Sequence, residues 1–331
     1  MLNSQNNKTN EKKDLAYFVK KVKNIELKKE MITLIGLLAL CLAMTMASDK
    51  FLQTDNLVNI VRQVSVNGIL AVGMTFVILT SGIDLSVGAI MALSSTVMAS
   101  AMINYGISPV VAVMLGIGVG ALFGLVNGTL IAYAKLPPII VTLAMMEIPR
   151  GIALIHTGGY PLAGLPDGFS FIGRGYLFNV IPMPVVIMLV IYVVAYIILQ
   201  HLPMGRYIYA IGGNEEAVRL SGIKVKKYKI LAYLTSGLTA AITGMVLTSR
   251  LMSGQPNVGV GFELDAIAAV VLGGTDIAGG RGTIFGTFLG VLIIGVLSNG
   301  LNLMGVSPYV QRVLKGLIII FAIYFSSKKK K

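Results

Sequence analysis

Apolar stretches separated by short polar breaks recur along the chain from residue 31 to residue 325. A helix needs about 20 apolar residues to cross the hydrocarbon core of a bilayer, and most of these stretches approach that length. The predicted spans are 31–47, 60–80, 85–103, 109–133, 137–156, 180–200, 230–250, 263–278, 283–304 and 309–325. The pattern predicts an all-α integral membrane protein of about ten transmembrane helices, with a short or re-entrant glycine-rich helix near 263–278.

Positive charge is distributed unevenly along the chain. It carries 27 Lys and Arg against 14 Asp and Glu, a formal net charge of +13, although only 12% of its residues are charged. Most of the cations lie in the tail 1–30, the segment 201–229 and the tail 326–331, whereas Arg312 and Lys315 in the last predicted span depart from this trend. Cytoplasmic loops of membrane proteins carry such an excess. We therefore predict one transmembrane domain, 31–325, with both termini and the loop 201–229 cytoplasmic, and no nucleic-acid partner.

Glycines recur at helical spacing within the fourth predicted span. Gly116, Gly120, Gly124 and Gly128 are each four residues apart. In membranes, small residues allow helices to approach closely, because lipid gives no hydrophobic drive for helix association. The spacing predicts a tight helix–helix contact, which serves either static packing or a mobile interface.

The sequence argues against a metal site and an ATP site in this chain. Cys41 is the only cysteine, and the two histidines lie far apart, so no metal-ligand spacing is present. The segment 274–281 superficially resembles a phosphate-binding loop, but Gly280 and Arg281 stand where that motif requires Lys followed by Ser or Thr. We expect no ATP hydrolysis by this chain.

The basic loop 201–229 contains the signals of a short helix. Asn214 is a favourable N-cap, Glu215 and Glu216 suit the positive end of a helix, and Gly222 suits its C-terminal stop. A capped helix on the cytoplasmic face is either a docking site for another protein or a solvated connection. The residues alone leave both interpretations open.

Ionisable residues within the predicted spans are candidates for a transport path, since each is costly unless it faces protein or water. Asp84 can cap the third span, and Asp265 can cap the short eighth span. Glu147 and Arg150 are three residues apart on one helix and can form a pair. For each of the four, a structural role competes with a role in the path.

The segment around Glu216 also carries a resemblance to a known family. Glu216 and Ala217, followed by Gly222, resemble the EAA loop of the permeases of ATP-binding-cassette (ABC) importers, although Val218 stands where the family has a second Ala. Four further segments resemble the ribose, xylose and galactose permeases, and the ribose members most closely. They are 81–88, 205–215, 219–223 and 263–275, and the residues 299–303 continue the match. The resemblance covers nearly everything from residue 60 onward.

The resemblance implies a permease without catalytic activity or cofactors of its own. A separate cytoplasmic ATPase would use ATP and Mg, an extracytoplasmic binding protein would deliver the sugar, and two copies of the permease would surround the path in the bacterial plasma membrane. Ribose is the leading substrate; xylose, galactose, a furanosyl signalling molecule or a nucleoside are alternatives. The positions that the resemblance assigns to ATPase coupling are Asn214, Glu215, Glu216, Ala217, Arg219, Ser221, Gly222 and Ile223.

Asn299 and Asn302 are further candidates for the path. They lie three residues apart on one face of the ninth span, and neutral amides can bind sugar hydroxyls without holding them too tightly. The rival from another class is an ion-coupled secondary transporter, which requires ionisable residues at the midplane and usually an inverted repeat. Glu147 is the only deep carboxylate, it has a potential partner, and no clear repeat is visible.

Overall fold

The computed structural model describes residues 30–328, so the predicted tail 1–30, except Glu30, and the last three residues of the tail 326–331 lie outside the described part. Its helices are α1 (Glu30–Ala47), α2 (Thr54–Leu79), α3 (Val87–Asn104), α4 (Pro109–Ala132), α5 (Pro138–Thr157), α6 (Ser170–Arg174), α7 (Met183–His201), α8 (Pro203–Gly213), α9 (Glu215–Leu220), α10 (Val225–Leu251), α11 (Phe262–Leu272), α12 (Ile284–Leu303) and α13 (Pro308–Lys328). A 3-10 helix covers Asp167–Phe169. Two antiparallel pairs of two-residue strands join β1 (Leu162–Ala163) to β4 (Ser253–Gly254) and β2 (Tyr176–Leu177) to β3 (Ile181–Pro182).

The prediction of an all-α membrane protein is confirmed. Eight of the described helices are long and apolar enough to cross a bilayer, namely α1 to α5, α7, α10 and α12. The eighth predicted span is indeed short, since α11 has only 11 residues. The tenth corresponds to α13, which has 21 residues and two cations in its first half. The count of ten crossings therefore stays a prediction.

Helix α2 forms the centre of the bundle. It packs against α7, α10, α11 and α12, and 83% of its most apolar stretch is buried. The corresponding buried share of α4, α5 and α7 is only 22–28%, so these helices present apolar side chains at the periphery. This is the distribution expected when the solvent around the bundle is lipid, which gives no reason to hide Leu or Val.

The contact between α4 and α10 depends on glycines. A Cβ atom added at Gly120 would lie 2.4 Å from the carbonyl oxygen of Gly237, and one added at Gly124 would lie 2.5 Å from that of Tyr233. At such distances any side chain would collide with backbone. The glycine spacing in α4 therefore marks a tight interface, as the sequence predicts.

Two non-helical segments, residues 80–86 and 252–261, enter the interior of the bundle. After α2 ends, the amide of Gly280 donates to the carbonyl of Leu79 (3.0 Å), and this contact lies at the end of the bundle that carries α8 and α9, called here the basic end. Residues 80–86 then run back inward without helical structure. The Asp84 carboxylate reaches Ser236 (2.7 Å), which lies near the middle of the 27-residue helix α10. Helix α3 thus begins at mid-depth.

The second non-helical segment enters the bundle from the opposite end. From the far end of the bundle, residues 252–261 run inward along α3, so that a Cβ atom added at Gly88 would lie 2.3 Å from the carbonyl oxygen of Gly259. Helix α11 begins beside this contact and leads to the loop 273–283, where Ser81 donates to the carbonyl of Ala278 (2.7 Å) at the basic end. The N-termini of α3 and α11 therefore meet inside the bundle.

The glycine contact yields a matched pair of substitutions on α4. We expect Gly120→Leu to destabilise the folded protein by about 1–3 kcal/mol or more, because the new side chain overlaps the α10 backbone. Gly118→Leu on the same helix is the control, since no atom lies within 4 Å of a Cβ at that position. The measurement is the thermal midpoint and the monodisperse fraction in mild detergent. Equal stability of the two variants would contradict the tight interface.

Candidate functional site

Helix α9 is capped as the sequence predicts. Asn214 has extended backbone angles, and its Oδ1 accepts a hydrogen bond from the amide of Ala217 (3.0 Å). The carboxylates of Glu215 and Glu216 follow in the first turn, where the positive end of the helix stabilises them. At the other end, Gly222 has φ +79°, a conformation that favours glycine, so the helix stops there.

Val218 attaches α9 to the rest of the basic end. Its side chain is buried and clusters with Ile211 of α8 and Val225 of α10, and Ile223 packs against the same cluster. The position where the family has a second Ala thus holds a larger apolar side chain, which anchors the inner face of α9 to α8 and α10. The departure from the family pattern concerns the attachment of α9 and leaves its outer surface unchanged.

The outer surface of α9 combines charge with an exposed apolar residue. Arg219 donates from Nε to Glu216 (3.0 Å), and this hydrogen bond lowers the pKa of the Glu216 carboxyl below its usual value. Lys229 pairs with Glu215 (2.5 Å). Leu220 is 75% exposed. We call the exposed residues Glu216, Ala217, Arg219 and Leu220 the α9 surface; it has the mixed character of a protein contact.

The remaining predicted coupling residues support the end of α9. The hydroxyl of Ser221 donates to the carbonyl of Ala217 (2.9 Å), and the amide of Ile223 donates to the carbonyl of Val218 (3.4 Å). These bonds satisfy carbonyl groups that a helix leaves unpaired at its C-terminus. All eight predicted coupling residues therefore belong to one compact unit at the basic end.

At mid-depth, Arg150 holds the interrupted segment before α11. Its Nη1 donates to the carbonyl oxygens of Pro256 (2.6 Å) and Val258 (2.7 Å). These two carbonyls belong to non-helical backbone, so they need donors from elsewhere. The pair between Glu147 and Arg150 that the spacing allows is not among the ion pairs of residues 30–328, because the guanidinium is directed to these carbonyls instead.

Two carboxylates lie near the same guanidinium. Glu147 and Glu263 both come close enough to Arg150 to interact electrostatically. Glu263 accepts a hydrogen bond from the amide of Gly261 (3.1 Å) and so helps to begin α11. Glu147 is exposed on the surface of the single chain, midway along the apolar helix α5. We call Glu147, Arg150 and Glu263 the midplane cluster.

Glu263 was not predicted from the sequence. The sequence signal that could have found it is an acidic residue in the first turn of a short helix that begins directly after a glycine. In the structure this glycine, Gly261, has a left-handed backbone (φ +90°). The sequence singled out its neighbour Asp265 instead. Without the backbone path, nothing in the sequence placed residues 256–263 beside Arg150.

Asp84 ties three helices together in the interior. It is fully buried; its Oδ1 accepts from the amide (3.0 Å) and the hydroxyl (2.5 Å) of Ser86, and its Oδ2 accepts from Ser236. Asn127 of α4 donates to the same Ser86 hydroxyl (2.9 Å). The carboxylate thus organises the start of α3 through the residue before the helix, whereas the predicted cap would reach into its first turn.

The other three predicted path residues also have internal partners. Asp265 does not cap α11 as predicted, because Gly261 is the N-cap and Asp265 is the fourth residue of the helix. It pairs instead with Lys315 of α13 (2.7 Å). Asn299 exchanges two hydrogen bonds with Asn56 of α2 (3.0 and 2.8 Å), and Asn302 accepts from the side-chain amide of Gln311 (2.7 Å). These bonds join α2, α11, α12 and α13. A contribution of these residues to a path stays a prediction.

Comparison with known proteins identifies the kind of molecule to which these features belong. The family described as "Branched-chain amino acid transport system / permease component" matches residues 56–323. The chain belongs to this permease family. It is a multi-pass protein of the bacterial plasma membrane, and its resemblance to the ribose and xylose permeases is confirmed.

Among the relatives of this permease, the Ribose import permease protein RbsC of Bacillus subtilis (strain 168) is 50% identical over 297 residues, which cover 89% of this chain and 92% of the relative. The protein of the same name in Escherichia coli (strain K12) is 47% identical over 305 residues, 91% and 94% of the two chains. The Xylose transport system permease protein XylH of Haemophilus influenzae is 32% identical, covering 94% of this chain and 99% of its own. No solved structure gives a significant match.

The pair between Asp265 and Lys315 is testable as a unit. Lys315→Met leaves a partly buried carboxylate without its cation, and we expect a loss of stability on the order of 2–3 kcal/mol. The double variant with Asp265→Leu removes both charges and should recover much of that loss. Thermal midpoints of the purified permease measure both effects. A double variant no more stable than Lys315→Met would show that the pair does not hold α11 to α13.

Proposed function

We propose that this permease is the membrane subunit of an ATP-driven importer and that its substrate is ribose. The assignment of ribose rests on one observation: the chain is 47–50% identical to ribose import permeases over most of both chains, but only 32% identical to the xylose permease. Xylose, galactose, a furanosyl signalling molecule or a nucleoside are the alternatives for the same machinery. The chain itself has no catalytic role in this proposal.

The path in this proposal runs along α5. An exposed carboxylate at the middle of a membrane helix costs about 2.5–3.5 kcal/mol or more if it faces hydrocarbon, so the face that carries Glu147 must meet protein or water. A second copy of the chain would cover this face and enclose the midplane cluster. The N-termini of α3 and α11 meet close by, and interrupted helices that end at mid-depth are typical of transporter binding sites.

A neutral, hydroxyl-rich sugar fits this environment. Carboxylates accept hydrogen bonds from hydroxyl groups, and the free amides of helix N-termini donate to them. No ion needs to accompany such a substrate, and Arg150 balances part of the negative charge of Glu147 and Glu263. The passage of ribose therefore requires alternate exposure of the cluster to the two sides, which is a conformational step without covalent chemistry.

The energy in this proposal comes from a separate cytoplasmic ATPase that uses ATP and Mg and binds the α9 surface. The cation excess assigns the basic end to the cytoplasm, and the α9 surface is the exposed, capped element there. An extracytoplasmic binding protein would deliver ribose at the far end. Neither partner shares the membrane-embedded contacts, so changes on the α9 surface can be separated from changes in the bundle.

Gly222→Val and Glu216→Lys test the ATPase partner. Valine at φ +79° strains the end of α9 by about 1 kcal/mol or more, and the lysine reverses a charge on the α9 surface. We expect both variants to reach the membrane in normal amounts, to lose the ATPase on purification and to fail in ATP-dependent ribose uptake. A loss of about 1.4 kcal/mol in docking already weakens a complex tenfold.

Gly159→Val is the matched control for the strained valine. Gly159 also has positive φ (+84°) and open space around it, but it lies at the far end of the bundle. This variant should retain the ATPase. Full ATPase retention by Gly222→Val and Glu216→Lys, or ribose uptake driven by an ion gradient without ATP, would contradict the proposed function.

Glu147→Leu tests the path separately. The substitution removes the exposed carboxylate from an apolar face, so folding should be unaffected or improved, while ribose uptake should fall at least about tenfold. The ATPase should still copurify with this variant. Val193→Leu, at an exposed position of α7, is the control and should transport normally. Wild-type uptake by Glu147→Leu would exclude this residue from the path.

A further inference from the structure

Three arginines from separate elements converge at the far end of the bundle. Arg62 belongs to α2, Arg174 ends α6, and Arg250 lies at the end of α10. The Arg62 guanidinium donates from Nη2 to the carbonyl of Arg174 (3.3 Å), and Arg174 donates from Nε to the carbonyl of Arg250 (2.7 Å). We call these three residues the arginine cluster. It lies on the side where the cation bias predicts few positive charges.

The charge of this cluster is not balanced within the described part of the chain. The three ion pairs of residues 30–328 involve Arg219, Lys229 and Lys315, so no carboxylate is paired with the cluster. Each guanidinium carries five N–H donors, and Arg62 and Arg174 each spend one of them on a backbone carbonyl. The Nε of Arg62 is buried and has no hydrogen-bond partner among the described residues. Adjacent like charges with spare donors indicate an anionic partner.

The cluster sits on a rigid support. The amide of Gly173 donates to the hydroxyl of Ser249 (2.7 Å), and that hydroxyl donates to the carbonyl of Phe169 (2.5 Å). A Cβ atom added at Gly173 would lie 2.3 Å from the amide nitrogen of Arg250, so α6 rests directly on the end of α10. The arginine positions are therefore fixed before any partner arrives, which reduces the entropic cost of binding.

Aromatic side chains border the cluster. The ring of Tyr176 lies 4.9 Å from the guanidinium carbon of Arg62. Phe171 is 52% exposed, and Phe178, at the tip of the hairpin formed by β2 and β3, is 85% exposed. Phe178 also has φ +52°, a conformation that a bulky residue adopts at some cost. Arginine together with exposed aromatic residues is the composition of energetically important protein–protein contacts.

We propose that the arginine cluster receives carboxylate side chains of the extracytoplasmic sugar-binding protein when that protein docks. The inference rests on the proposed function, because it assigns a surface to one of the partners proposed there. A soluble protein fits better than a lipid headgroup, since α2 is the central helix, enclosed by α7, α10, α11 and α12. Arg62 therefore belongs to the central helix of the bundle and not to one of its peripheral helices.

Charge complementarity of this kind acts on approach as well as on contact. Opposite charges steer two proteins together and fix their relative orientation, and this effect weakens as salt screens it. An importer gains from both properties, because the binding protein must align its sugar with the path and must leave after delivery. The cluster supplies orientation through charge, and the aromatic rim supplies contact area.

The test uses the permease–ATPase complex in nanodiscs and the purified, ribose-loaded binding protein of the same organism as the probe. Docking affinity is measured at low and at high ionic strength. Arg174→Glu, at an exposed position, should weaken docking at least about tenfold and remove most of its salt dependence. Arg174→Lys keeps the charge and should dock within about threefold of wild type. Lys50→Glu reverses an exposed cation outside the cluster and should dock normally.

Each outcome is decisive when ATPase retention and the amount of folded complex are measured alongside. Unchanged docking by Arg174→Glu, with unchanged salt dependence, overturns the assignment of the cluster. If Arg174→Glu leaves docking unchanged but the complex loses its copurified anionic phospholipid, the assignment is also overturned, because the cluster then binds lipid headgroups. If the wild-type complex neither docks the binding protein nor imports ribose, the proposed function itself fails, and the assignment fails with it.

Discussion

The need to satisfy backbone polar groups away from water governs this structure. Uninterrupted helices meet it internally, but the segments 80–86 and 252–261 cross part of the bundle without helical hydrogen bonds. Their groups are satisfied by side chains placed for the purpose: Asp84 accepts from the backbone of one segment, and Arg150 donates to the carbonyls of the other. The glycine contact between α3 and the second segment allows the two to touch. The polar interior of this membrane protein is thus first of all a requirement of its interrupted spans.

This requirement separates the polar residues by task. Asp84, Asn299 and their partners are buried and bonded, and they hold helices in place. Glu147 is different, because it lies on an outer face and none of the residues 30–328 encloses it. Burial and bonding, rather than polarity alone, distinguish a structural tie from a group that remains open to a further contact.

Local sequence signals predicted local structure well, and contacts distant in sequence poorly. The cap of α9 at Asn214, its stop at Gly222, the shortness of α11 and the glycine contact of α4 all follow from residues within a few positions of each other. The partners of Arg150 could not be predicted in this way. The sequence suggests the nearby Glu147, whereas the carbonyl groups that Arg150 binds lie more than 100 residues away. Likewise, Asn299 bonds to Asn56, 243 residues earlier. Such pairs arise from the path of the interrupted spans, which periodicity does not encode.

The attachment of α9 has a consequence for how such a machine diversifies. The helix has six residues, and Val218 is its one buried side chain among the described contacts. Its remaining positions face outward, so their replacement leaves the interior of the bundle unchanged. Under the proposed function, fewer than two helical turns could therefore change to fit a different ATPase while the bundle stays the same. In such an importer, the residues that recognise the ATPase and those that recognise the sugar could evolve at different rates.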